Sequence, residues 1–166
     1  MSKPRRPIGE IPLVFISNST YQHKPLFNNI RNAALLMGII KEYERRNYFH
    51  IETFCVMPDH YHILLRILSN KSLSQIIYSI NSYFAYRHRK QFGIVRIWSR
   101  NTWDVWIRSE EMYWQKVAYV LLNPWRAGLV GIPYSDYPYS DISEWRMTYG
   151  IRFLNDIFEQ YSRGME

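Results

Sequence analysis

Cysteine is almost absent from this chain, because Cys55 is the only one among 166 residues. One thiol cannot form a disulfide within the chain, and it cannot supply the sulfur ligands of a thiolate zinc site. The chain therefore fits a reducing compartment. Disulfide-stabilised frameworks and thiolate zinc modules are excluded as classes.

Long hydrophobic runs are also missing. The run at residues 33–37 continues past Gly38 to Ile40 and stays far below the roughly 20 residues of a membrane span. A second run at residues 13–16 follows a basic N-terminal segment, but it is too short for the core of a signal peptide. We therefore expect a cytoplasmic protein with no membrane partner.

Acidic residues are the minority among the charged ones, since 14 Asp and Glu stand against 21 Lys and Arg and give a formal charge of +7. A surface of that sign attracts phosphates, so nucleic acid is the leading partner. The candidate phosphate contacts are Arg5, Arg6, Arg87, Arg89, Lys90, Arg100 and Arg126. Those at residues 87–90 end a predicted helix, where basic residues are more often a solvated terminus than a nucleic-acid contact.

The length is that of one domain, with a flexible basic arm at residues 1–10 and a C-terminal addition at about residues 143–166. Periodicity predicts strands at 11–17, 48–56, 60–68 and 94–108, and helices at 29–46, 72–91, 110–123 and 151–161. Pro124 is expected to end the third helix, because proline disfavours helix in the residue before it. The order of these elements predicts a ferredoxin-like α+β sandwich, a mainly antiparallel sheet with helices on one face.

Two histidines, His60 and His62, open the third predicted strand. Side chains alternate along a strand, so both imidazoles project on one side while Tyr61 and Ile63 pack on the other. Such a pair is half of a metal site. A strand with two half-exposed histidines is an equally good reading of this short motif alone.

Tyr119 and Asn123 stand four residues apart on the third predicted helix. Residues at that spacing share one helix face, separated by about 6 Å along the axis, so the phenol and the amide point the same way. The spacing suits a nucleophile beside a metal ligand. By itself it is also typical of a tyrosine at the core edge and an asparagine before proline.

These two motifs together resemble the Y1 HUH transposases, in the IS200-like branch known as REP-associated tyrosine transposases. The resemblance covers about residues 8–142. It is carried by Met-Pro-Asp-His-Tyr-His at residues 57–62 and by Tyr-Val-Leu-Leu-Asn-Pro-Trp-Arg-Ala-Gly-Leu-Val at residues 119–130. It implies the fold of an HUH endonuclease.

The resemblance also implies a chemistry. His60, His62 and Asn123 fall on the positions of the metal ligands, and Tyr119 falls on the position of the tyrosine that attacks DNA and forms a 5′-phosphotyrosine. Nitrogen and amide-oxygen ligands admit Mg²⁺ or Mn²⁺. Asp59 is expected to accept a hydrogen bond behind these ligands.

The expected function is therefore that of a single-strand DNA endonuclease and strand transferase acting at palindromic, REP-like hairpins, as a monomer or a homodimer. Two alternatives stay open. One is a hairpin-binding protein of the same fold that does not cut DNA. The other is a metal-dependent protein that processes or binds RNA, since a sheet with exposed aromatic residues also presents RNA.

Overall fold

A computed structural model describes residues 9–93 and 96–162 of the protein. Its strands are β1 (Leu13–Thr20), β2 (Phe49–Met57), β3 (His60–Ile67) and β4 (Trp98–Trp106). Its α-helices are α1 (Ile30–Arg45), α2 (Leu73–Phe92), α3 (Glu110–Arg126) and α4 (Ile142–Tyr161). None of these helices is long and apolar enough to cross a membrane.

The strands form one antiparallel sheet in the order β2-β3-β1-β4. β1 and β3 are central, and the chain passes through α1 between β1 and β2 and through α2 between β3 and β4. This β-α-β-β-α-β path is that of a ferredoxin-like sheet. The predicted fold class is confirmed.

The sheet is covered on both faces because apolar side chains alternate along the central strands. Val14 and Ile16 point into a core with α1 and α2, while Leu13 and Phe15 point into a core with α3 and α4. The expected pair of helices on one face is therefore α1 and α2. The third and fourth helices add a second layer on the opposite face.

Polar side chains fix the starts of three helices. The side chain of Asn29 accepts from the first backbone N–H groups of α1, and Ser109 does the same for α3. Ser72 and Gln75 form a reciprocal capping box at the start of α2. Each cap satisfies N–H groups that have no partner inside the helix, which is why the helices begin where they do.

Pro124 does not end α3, so that expectation was wrong. The helix continues to Arg126, and the N–H of Ala127 donates to the carbonyl of Asn123 at 3.0 Å. Proline lacks one backbone donor, but in the last turn this removes a single helical bond. The carbonyl of Pro124 also has a partner, because it accepts from the N–H of Leu129 at 2.8 Å.

The C-terminal helix is longer than the predicted one. It starts at Ile142 rather than Ile151 and bends at Gly150, whose φ of 83° lies in the left-handed region. Glycine adopts that conformation without the steric cost that a side chain adds. The break hid the first half of the helix from a reading based on periodicity.

The two edge strands of the sheet differ in whether another segment pairs with them. Residues 137–141 run along β2, where the N–H of Val56 donates to the carbonyl of Tyr139 at 2.8 Å. Asp141 adds an anchor by accepting from Thr53 Oγ1 at 2.8 Å. In the described ranges no segment pairs with the outer side of β4. β4 is therefore an open edge that carries exposed tryptophans.

Candidate active site

His60 and His62 point to the α3 face of the sheet, and their Nε2 atoms lie 3.0 Å apart. The residues between and after them, Tyr61 and Ile63, are buried in the α1 and α2 core. The alternation expected from the sequence is therefore present. It brings two imidazole nitrogens to one point at the start of β3.

Asp59 holds the ring of His60 from behind. Its Oδ1 lies 2.6 Å from His60 Nδ1, and its Oδ2 lies 2.8 Å from Nδ1 of His23. A carboxylate only accepts, so these Nδ1 atoms carry protons, and the unprotonated Nε2 of His60 can accept from His62 Nε2 at 3.0 Å or bind a metal ion. Burial alone raises the pKa of Asp59, but the hydrogen bonds from His60 and His23 outweigh it and lower that pKa.

The loop after β1 supplies His23, which the sequence did not indicate. Thr20 ties this loop to the turn before β3, because its N–H donates to the carbonyl of Asp59 at 2.8 Å. Its hydroxyl lies 2.8 Å from the carbonyl of Lys24 and 3.0 Å from that of Asp59. His23 itself has a φ of 50°, a conformation that is uncommon for a residue with a side chain. No spacing rule predicts such a contact.

His62 is only 2% exposed and lies among aromatic rings. Phe15 stacks on it at 5.4 Å between ring centres, and the ring of Tyr119 meets it at 5.1 Å. Burial, followed by the charges of His60 and Lys116, lowers the pKa of His62 to about 3. The ring is therefore a neutral imidazole, which is the form that binds a metal ion.

Tyr119 reaches the histidines because α3 lies across this face of the sheet. Ala118, Leu121 and Leu122 are buried in the helix interface, whereas Tyr119 is half-buried at its margin. Its ring packs edge-on against Phe15 at 5.7 Å as well as against His62. The structure thus gathers three of the sequence-predicted residues, His60, His62 and Tyr119.

Asn123 lies one turn beyond Tyr119, as its spacing requires. Its Nδ2 donates to the backbone carbonyl of Tyr119 at 3.1 Å. That bond directs the amide nitrogen to the helix and leaves Oδ1 as the atom available to a ligand. Among the described residues Asn123 has no hydrogen bond to His60 or His62.

The donor atoms fit a divalent ion. Two ligands at about 2.1 Å from an ion and at right angles to each other lie about 3 Å apart, which is the separation of the two Nε2 atoms. The described ranges hold no metal-binding group of three or more His, Cys, Asp or Glu residues. The third ligand predicted from the sequence, the amide oxygen of Asn123, is of a type that such a group does not include.

Of the five candidate phosphate contacts that the structure describes, three lie away from these residues. Arg5 and Arg6 fall outside the described residues. Arg87, Arg89 and Lys90 are exposed at the end of α2, on the face opposite Tyr119. Arg87 and Lys90 cover the rings of Tyr83 and Tyr86, at 5.8 and 4.6 Å from the ring centres.

Two further arginines have different surroundings. Arg100 is exposed on the open strand β4. Arg126 ends α3, and its guanidinium donates to the carbonyl of Ser162 at 3.3 Å. Arg100 is thus free to meet a phosphate, while Arg126 already links two helix ends.

Lys116 is a basic residue close to Tyr119, and the sequence analysis missed it. Its Nζ lies 4.7 Å from the ring centre of Phe15, 4.9 Å from that of Trp103 and 5.4 Å from that of Tyr119. Burial lowers the pKa of Lys116. Its position three residues before Tyr119, on one helix face, was the available signal.

Comparison with known proteins bears on this arrangement. The family model described as "Transposase IS200 like" matches residues 10–109. The matched segment includes His60 and His62 and ends before α3. No curated protein sequence matches the chain.

Among solved structures, a REP-associated tyrosine transposase bound to a REP hairpin matches with a TM-score of 0.72 and 22% identity, over 91% of this chain and 88% of that one. That likeness shows the shared fold. A candidate transposase from Deinococcus radiodurans R1 matches with a TM-score of 0.48 and 20% identity, over 72% of this chain and 95% of that one. The second likeness is too distant to support an argument.

Proposed function

This chain belongs to the family of IS200-like transposases, and on that premise we propose that it cuts and rejoins single-stranded DNA at hairpins, with Tyr119 as the nucleophile. One observation carries the proposal. The ring of Tyr119 lies 5.1 Å from that of His62, whose Nε2 is 3.0 Å from Nε2 of His60. A phenol and two convergent imidazoles are the parts that a metal-assisted transesterification needs.

In the proposed reaction the Tyr119 hydroxyl loses its proton and its oxygen attacks the phosphorus of a phosphodiester. The bond to the 3′ oxygen breaks, and that oxygen takes up a proton to become a free 3′-hydroxyl. The product is a 5′-phosphotyrosine. Because one ester replaces another, a 3′-hydroxyl can reverse the step and rejoin the strand without ATP.

His60, His62 and Asn123 are proposed to hold a divalent ion, Mg²⁺ or Mn²⁺. Such an ion would polarise the scissile phosphate and balance negative charge as it develops. Asp59 would keep the proton of His60 on Nδ1, so that Nε2 faces the ion. His62 needs no such partner to stay neutral, because its burial already does this.

The substrate we propose is a DNA hairpin with single-stranded flanks. The solved relative with the higher TM-score is bound to a REP hairpin, and the +7 charge of this chain favours a polyanion. Tyr119 lies at the margin of a helix beside the sheet, so a phosphate must come to it on an exposed strand. Plain duplex should therefore be a poor substrate, and binding should weaken steeply as salt rises.

The test is a covalent adduct on a denaturing gel. Hairpin oligonucleotides with randomised single-stranded flanks are incubated with the protein and Mn²⁺, labelled at either end. A 3′ label should migrate with the protein and a 5′ label should not, because the protein keeps the fragment that carries the 5′ phosphate. A protein-bound 5′ label would contradict the proposed polarity.

The same experiment separates the alternatives. Tight hairpin binding with no adduct would favour a binding protein that does not cut. An adduct or cleavage only on an RNA strand would favour the RNA-processing alternative.

A further inference from the structure

Trp103 lies in the same cross-strand row of the sheet as the candidate metal ligand His62. Strand pairing places Cys55, His62, Ser17 and Trp103 side by side across the sheet. Residues paired in this way point to one face, so Trp103 shares the face of His62 and Tyr119. Neighbouring strands are about 4.8 Å apart, which puts Trp103 two strands from His62, on the open edge.

Trp103 is 56% exposed, although its strand neighbour Phe15 and the nearby His62 are buried. Within the described ranges its ring contacts are the edge of Phe15, at 5.8 Å between centres, and the ammonium of Lys116. No described strand pairs with the outer side of β4 to cover it. Much of the ring is therefore open to another flat ring.

Lys116 joins this tryptophan to the nucleophile. Its Nζ lies 4.9 Å from the ring centre of Trp103 and 5.4 Å from that of Tyr119. No carboxylate in the part of the chain that the structure describes pairs with it. A half-buried cation without an acidic partner is suited to an anion from outside, and a phosphate fits that need.

We propose that Trp103 and Lys116 form a subsite for one unpaired nucleotide of the DNA strand, next to the phosphate that Tyr119 attacks. The base stacks on the open part of the Trp103 ring, and the phosphate of that nucleotide meets Lys116. Stacking on an aromatic ring accepts any base, because every base has a π face. The inference rests on the proposed function and adds how the strand is held in reach of Tyr119.

Trp106 provides a matched comparison on the same strand. It is 40% exposed and pairs with Val14, so it points to the α1 and α2 face. Both tryptophans are thus open aromatic residues of β4, but only Trp103 lies on the Tyr119 face. If exposed indoles bound DNA without regard to position, replacing either tryptophan would weaken DNA binding equally.

The first measurement is hairpin affinity by fluorescence anisotropy, with all variants in a Tyr119→Phe background so that no strand is cut. The probe is a labelled hairpin with oligothymidine flanks. Trp103→Ala should raise Kd about tenfold or more, and Trp103→Phe should keep most of the affinity. Trp106→Ala should leave Kd unchanged. Thermal unfolding of each variant checks that the fold is retained.

The second measurement removes one base of the flank at a time. In the presence of Trp103, an abasic nucleotide at one flank position should weaken binding about tenfold, and with Trp103→Ala the same abasic nucleotide should cost nothing further. Lys116→Met should reduce the slope of affinity against salt by about one counterion, and Lys116→Arg should restore it.

Two results would overturn the subsite. One is an unchanged Kd for Trp103→Ala, and the other is an abasic penalty that persists without the indole. These outcomes are separate from the fate of the proposed function, because binding is measured without cleavage. An adduct from the otherwise wild-type protein together with an unchanged Trp103→Ala affinity would retain the transferase and reject the subsite. A stacking effect without any adduct would do the reverse.

Discussion

Two tyrosines on opposite faces of the sheet, Tyr61 and Tyr119, have very different surroundings. Tyr61 is fully buried in β3, its hydroxyl donates to Asn81 Oδ1 at 2.9 Å, and burial raises its pKa. Tyr119 is half-buried in α3, and its hydroxyl bonds none of the described residues. One phenol is therefore satisfied inside a core and the other is available to a substrate.

The two faces of β3 differ in the same way. On one face Tyr61, Ile63 and Leu65 belong to a closed apolar core. On the other, Leu64 continues the core, His62 is buried beside Tyr119, and the half-buried His60 lies at the end of the strand. A strand can thus stabilise the fold with one set of side chains and carry chemistry with the alternate set. Substitutions on each face of β3 test whether stability and chemistry are separated in this way.

The largest effect is expected from Tyr119→Phe. It removes one oxygen and keeps the aromatic contacts with His62 and Phe15, so the fold should survive. Adduct formation should fall by roughly 10⁴-fold or more, as when a nucleophile is lost. Tyr78→Phe, at a 73% exposed tyrosine of α2, is the control and should cut normally. An unchanged rate in Tyr119→Phe would point to a metal-activated water instead.

Removing an imidazole should come next. His60→Ala or His62→Ala should lower the cleavage rate roughly 100- to 1000-fold, because the divalent ion that balances negative charge on the phosphate is then held too weakly. Calorimetric titration with Mn²⁺ should show the loss of binding directly. His50→Ala removes an exposed histidine of β2 that contacts Glu44 of α1, and it should change neither the cleavage rate nor the Mn²⁺ affinity. Unchanged Mn²⁺ affinity in the double variant at residues 60 and 62 would refute the metal site.

Asp59→Ala should have an intermediate effect. The change leaves both imidazoles in place but removes the acceptor of His60 Nδ1. Loss of such a partner typically costs 10- to 100-fold in metal affinity, which the same Mn²⁺ titration measures. Asp59→Asn keeps an accepting oxygen and should lose less. Equal losses in the two variants would show that charge, rather than orientation of the ring, is what Asp59 supplies.

The smallest effect is expected from Tyr61→Phe, and it should fall on stability rather than on cleavage. It leaves the side chain of Asn81 without its donor and should lower the free energy of unfolding by about 1 kcal/mol. Urea denaturation measures that change. Adduct formation should match that of the unaltered protein once both are folded. A large loss of cleavage would mean that the two faces of β3 are not independent.

The fold and the shared faces of the candidate site residues could be predicted from the sequence, because both depend on short-range periodicity. Alternation along β3 placed His60 and His62 on one face, and helical spacing placed Tyr119 and Asn123 on one face of α3, where the ring of Tyr119 meets that of His62. The helix predicted from residue 72 likewise begins at Leu73, directly after its cap Ser72. Each of these features is decided within a few residues.

Contacts between distant segments could not be predicted in this way. His23 reaches Asp59 only because a loop with positive φ is tied to the turn before β3. Trp103 lies on the same face of the sheet as Tyr119 because of its register against Ser17. Lys116 was passed over because its meaning depends on which rings lie under it. Strand register and helix docking set these positions, and periodicity specifies neither.

The central claim is that Tyr119 forms the bond to DNA, and peptide mapping of the adduct tests it most directly. Trypsin cuts after Lys116 and Arg126 and releases residues 117–126, in which Tyr119 is the only tyrosine. After nuclease trimming of the DNA, mass spectrometry should find a 5′-phosphonucleotide on this peptide. A nucleotide on a peptide containing any other tyrosine, with residues 117–126 unmodified, would contradict the account.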